Sequence, residues 1–63
     1  MSKTIKITPT TTVSQLRAKH SDYTIARMLA EKLGIKDRLP KMLVKDYPYT
    51  VARKLLAKAQ KAS

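Results

Sequence analysis

The chain has 63 residues, with fourteen Lys and Arg against four Asp and Glu, a formal net charge of +10, and no cysteine. A chain this short forms one domain at most, and its core rarely supplies more than roughly 3–5 kcal/mol unaided. Disulfides are excluded, a classical zinc site is excluded because His20 is the only histidine, and no apolar run approaches the ~20 residues needed to span a bilayer.

Residues 1–12 read as an extended arm. Ile5 and Ile7 alternate with Thr4, Lys6 and Thr8, a period of two with β-branched residues that predicts a short strand over 3–8. Pro9 and the threonines at 10–12 end it. The first dozen residues hold no continuous apolar stretch and are not read as a signal peptide.

Thr12 and Gln15 have the spacing of a capping box, so a first helix is expected from Val13 to about His20. Ser21 is a good N-cap for a second helix, with Asp22 in its first turn, running to Leu33 and closed by Gly34, the only glycine. Asp37 is expected to cap a third helix over 38–45 that carries Pro40 in its first turn. Asp46-Tyr47-Pro48 breaks the chain before a fourth helix from Pro48 to about Gln60. The fold class is therefore all-α: a small bundle of four short helices, arranged as two helix-turn-helix-like units in a single domain over 13–61.

The segments DYTIARMLAEKL at 22–33 and PYTVARKLLAKA at 48–59 resemble each other at an offset of 26. Tyr23, Thr24, Ala26, Arg27, Leu29 and Lys32 recur as Tyr49, Thr50, Ala52, Arg53, Leu55 and Lys58. An internal repeat of 13–33 and 39–59 is expected on that basis. Helical periodicity selects the buried set: Val13 and Leu16; Ile25, Ala26, Leu29 and Leu33 with Ile35; Leu39, Met42 and Leu43; Val51, Ala52, Leu55, Leu56 and Ala59. With no Phe or Trp in the chain, the three tyrosines are expected to give the core its aromatic bulk. Tyr23 and Tyr49 would each lie half-buried beneath the arginine four residues on.

Function is read first from charge. Residues 1–35 hold six basic and two acidic groups and residues 36–63 hold eight and two, so the imbalance runs through the whole chain. A folded domain gains nothing by repelling itself, and a one-signed field of this size points to a polyanionic partner. Residues 29–43, with Ala30, Gly34, Ile35 and Leu43, resemble the helix-turn-helix layout, in which a small residue permits close helix crossing and glycine makes the turn. Pro40 departs from that layout by standing where a β-branched residue is usual. Arg38, Lys41 and Lys45 fall at i, i+3 and i+7 on the following helix, one outward cationic face suited to a major groove. Having no Asn or Gln there, that helix would read bases through Arg38.

On the fourth helix Arg53, Lys54, Lys58 and Lys61 lie opposite Val51, Leu55 and Ala59. Arg27 has Glu31 one turn on, whereas Arg53 has Ala57, which makes Arg53 the stronger binding candidate. The expected function is nucleic-acid binding, double-stranded DNA ahead of RNA, by a small regulator or architectural accessory protein. Phosphate contacts are assigned to Arg38, Lys41, Lys45, Arg53, Lys54 and Lys58, with Lys3 and Lys6 on the arm. The alternative is a protein-binding module, an enzyme inhibitor or assembly component docking on an acidic protein surface. One glycine, one histidine and four carboxylates leave little from which to build a catalytic pocket, so no enzyme activity, metal or cofactor is expected. A cytoplasmic location, no membrane role and a homodimer complete the expectations.

Overall fold

The computed structural model describes residues 7–62, with side chains to Lys61, so Lys3, Lys6 and most of the expected strand lie outside the described residues. The architecture is all-α: α1 (Val13–Arg17), α2 (Asp22–Leu33), α3 (Leu39–Lys45) and α4 (Pro48–Ala62), with a 3₁₀ turn over Lys36–Arg38 before α3. Among the described residues there is no strand.

Local chemistry sets each boundary. Thr12 is extended (φ −118°, ψ 160°), and its hydroxyl accepts from the Gln15 amide at 3.2 Å. The Gln15 side chain in turn accepts from the Thr12 amide at 3.3 Å, completing the capping box. Helix α1 nevertheless stops at Arg17, and residues 18–20 continue only as turns. Ser21 caps α2 by accepting from the Thr24 amide at 3.3 Å. At its other end Gly34 takes φ 72°, a left-handed conformation that costs an L side chain roughly 1–2 kcal/mol. The Gly34 amide then donates to Glu31 O at 3.1 Å and the Ile35 amide to Ala30 O at 2.9 Å, satisfying two carbonyls that the helix leaves open.

The third helix departs from expectation. Asp37 lies inside the 3₁₀ turn and makes no capping bond; α3 begins at Leu39, with Arg38 as an unassisted N-cap. The glycine turn delivers the chain to Ile35, and the Arg38 amide donates to Ile35 O at 2.9 Å, which tightens residues 36–38 before α-geometry starts. Pro40 sits in the first turn, where no intrahelical donor is needed.

The core is one aliphatic cluster: Val13, Ile25, Ala26, Leu29, Ala30, Leu39, Val51, Ala52, Leu55, Leu56 and Ala59 are buried. Helices α2 and α4 share by far the most extensive contact in the molecule, and α1 and α3 pack around that seam. Ala30 and the half-buried Met28 join the expected set, and Leu16, Leu33, Ile35, Met42 and Leu43 cover its margin. Burial follows the offset of 26: Val13 and Leu39, Ile25 and Val51, Ala26 and Ala52, Leu29 and Leu55, and Ala30 and Leu56 are all buried pairs. The tyrosines do not fill the core. Tyr47 is 81% exposed, Tyr23 50% and Tyr49 38%. Four alanines bring α2 and α4 too close to leave room for a ring between them.

The described end of the arm is held to the helical body. Residues 8–11 form a turn in which the Thr11 amide donates to Thr8 O at 3.1 Å and the Thr8 amide to Thr11 Oγ1 at 2.9 Å. From α4, Gln60 Nε2 donates to Thr8 O at 3.0 Å and Thr11 O at 2.7 Å, while Ile7 packs against the core.

Replacing Leu55 by Ala removes a side chain that is 1% exposed at the α2–α4 seam. The expected cost is about 2–5 kcal/mol, comparable to everything a core of this size supplies. Circular-dichroism melting should show loss of the cooperative transition; a wild-type melt would mean the seam does not hold the fold. Gly34→Ala meets no atom within 4 Å of the added Cβ, so only backbone strain opposes it. The expected loss is about 1–2 kcal/mol, and chemical denaturation showing no loss would contradict the left-handed turn.

Candidate nucleic-acid interface

Twelve of the fourteen basic residues fall among the described residues and every one of them is exposed. An aliphatic core this small offers no buried site for a charge, so the sequence excess becomes a surface excess. Three of the twelve meet carboxylates. Arg17 Nε lies 2.9 Å from Asp22 Oδ1, Lys54 Nζ 3.1 Å from Asp46 Oδ2, and Lys36 Nζ 3.6 Å from Glu31 Oε1. The remaining nine have no carboxylate partner among the described residues. The Arg17 contact is an ion pair without an aligned N–H, so Asp22 Oδ1 stays buried and without a hydrogen bond.

The expected contact residues fall into distinct groups. Arg38, Lys41 and Lys45 do come together: with Met42 they border a shallow depression of about 290 Å³ on α3. Val44, next to Lys45 on this short helix, is 86% exposed, and Tyr47 follows in the turn to α4. Arg53 and Lys54 border a second depression of about 310 Å³ over Thr50 and Ala57. Lys54 is partly neutralised there by Asp46, the C-cap of α3, a pairing across eight residues that helical spacing does not suggest. Lys58 is exposed on α4 but borders neither depression.

The two tyrosine–arginine pairs behave differently. Arg53 Cζ stands 5.9 Å from the centre of the Tyr49 ring, and Arg17, from the end of α1, approaches the same ring at 5.4 Å. Tyr49 is thus attended by two guanidiniums, one of them from a residue that sequence reasoning did not single out. The signal was available in part: Arg17 is a cation in the last turn of α1, five residues before Asp22. Among the described residues no guanidinium attends Tyr23, and Glu31 pairs with Lys36 instead of Arg27. Tyr49 and Arg53 also line a surface groove of about 420 Å³, which runs between α4 and the start of α1.

Among the described residues no three His, Cys, Asp or Glu side chains gather where they could hold a metal ion. No helix of the described residues is long and apolar enough to cross a membrane. Comparison with protein-family models, with curated proteins and with solved structures finds no match.

Three exposed ion pairs contribute about 0–1 kcal/mol each, while nine unmatched cations repel one another. Added sodium chloride is therefore expected to raise the melting temperature by screening the repulsion. A melting temperature that falls with salt would show that the ion pairs outweigh it.

Proposed function

We propose that this protein binds nucleic acid through electrostatic contacts to the phosphate backbone, with α3 and the outer side of α4 as the contact elements, and that duplex DNA is its principal partner. The observation that carries this reading is the nine exposed cations without a carboxylate among the described residues, three of which, Arg38 at the N-cap of α3 and Lys41 and Lys45 within it, border one depression. Like charges crowded on one short helix are unfavourable in the free protein and become favourable against a polyanion, whose condensed counterions they release. Seven residues of α3 are enough to lie across a groove edge, and Val44 gives the same helix an apolar contact beside its lysines. Arg53, Lys54 and Lys58 extend the field along α4, and Lys3 and Lys6 add charge on the arm. Binding rather than catalysis is the role proposed.

A duplex titrated by fluorescence anisotropy at several salt concentrations tests this directly. If six to eight phosphates are neutralised, log K falls against log[salt] with a slope of roughly −5 to −7. Charge reversal at Lys41 and Lys45 together is expected to shorten that slope by about two, leaving the melting temperature unchanged or raised. An affinity indifferent to salt removes the proposal. A stoichiometric protein partner that survives nuclease treatment, with no duplex binding, would replace it by docking on an acidic protein surface.

A further inference from the structure

The groove beside Tyr49 has no residue in common with the α3 depression and has a chemistry of its own. One side is the start of α1, where Ser14 is exposed; the other is α4, which lines the groove with Tyr49, Arg53 and the apolar Leu56 and Ala57. Two arginines attend the Tyr49 ring, but only Arg53 lines the groove, and the two are not equivalent. Arg17 is matched by Asp22, so its charge is largely answered, and its guanidinium over Tyr49 fixes the ring. Arg53 has no carboxylate among the described residues, yet it is held against the same ring at 5.9 Å. A guanidinium ordered on an aromatic face loses less freedom when it closes on an oxyanion, and its fork matches phosphate geometry.

The first tyrosine-led segment shows what the groove requires. At the offset of 26, Ala57 corresponds to Glu31 and Arg53 to Arg27. There Tyr23 is half-exposed without a guanidinium among the described residues, and a carboxylate stands where the second segment has a methyl group. Arg27 and Arg53 both lack a carboxylate partner among the described residues, but only the second segment sets its arginine on a tyrosine ring beside an apolar lining.

We propose that this groove binds a single nucleotide, with Arg53 holding the phosphate, Leu56, Ala57 and the edge of Tyr49 carrying the base, and Arg17 acting as a positioning residue for the ring. The inference rests on the nucleic-acid reading and deepens it, because a base reaches this lining only when unstacked, as in a single strand or a free nucleotide. Those two sources share the recognised chemistry.

The test is nitrogen-15 NMR of the full chain titrated separately with thymidine 5′-monophosphate, a single-stranded oligothymidylate and a blunt duplex. The Arg53 side-chain N–H and the Ser14 and Ala57 amides are expected to shift with the oligothymidylate. If they also shift with the monophosphate, free nucleotide is a source too; if only with the oligomer, the strand is the source. Arg53→Gln and Ala57→Glu are both exposed changes within α4. Each is expected to weaken the interaction at least about tenfold, the scale of a lost charge-assisted hydrogen bond, whereas Lys32→Gln, an exposed change on α2 away from the groove, leaves it unchanged. Should α3 amides move while the groove amides stay still, the groove assignment is overturned and the nucleic-acid reading stands. Should no amide move with single strand or duplex, both are overturned.

Discussion

The contact between α2 and α4 is the constraint on which every other feature depends. Ala26, Ala30, Ala52 and Ala59 let the two helices approach, and Ile25, Leu29, Val51 and Leu55 fill the space between them. No other pair of helices shares a comparable contact, so α1 and α3 are positioned by what they can pack against along this seam. A core without aromatic rings, metal or disulfide has little margin. It also has no tolerance for a polar group, and among the described residues no polar or charged residue belongs to it.

That intolerance explains the surface. Because the seam admits only aliphatic side chains, every described cation is turned outward and only three find carboxylates. The molecule therefore carries its electrostatic repulsion on the outside, where a rearrangement of the core cannot relieve it. The cations do not form a single sheet of charge. They gather around Met42 on α3, over Thr50 and Ala57 on α4, and at the ring of Tyr49. A partner following a backbone of phosphates suits such separated points better than one compact acidic ligand does.

The two tyrosine-led segments show how similar stretches acquire different surfaces. Their inward positions match in burial and aliphatic character, because the seam makes the same demand of both helices. Outward positions are free of that demand, and two of them differ with consequence: Glu31 against Ala57 and Gly34 against Gln60. Gln60 ties the Thr8–Thr11 turn to α4, where the first segment has the glycine that ends α2. One helix is thereby stopped short while the other continues and gains a neighbour along its flank.

Periodicity and capping chemistry were enough to read the helices, because both act over three or four residues. Ser21, Gly34 and Pro48 mark boundaries through their own backbone preferences, and the buried aliphatic set follows from spacing alone. The failures are those of local rules overridden by longer contacts. Asp37 has a capping residue's chemistry, but the turn imposed by Gly34 and Ile35 draws it into a 3₁₀ segment. The tyrosines were assigned to the core because nothing else aromatic was present, whereas the close approach of α2 and α4 leaves no volume for a ring. In the site, the spacing of Arg38, Lys41 and Lys45 was legible because α3 carries both lysines and Arg38 is its N-cap. The meeting of Arg17 with Tyr49 was not, since those residues lie 32 positions apart in the chain and only packing unites them. The sequence by itself determined the helices, the aliphatic interior and the sign of the surface, which are local or summed properties; the tertiary structure alone decided which cations share a neighbour, because that depends on where the α2–α4 seam sets each helix flank.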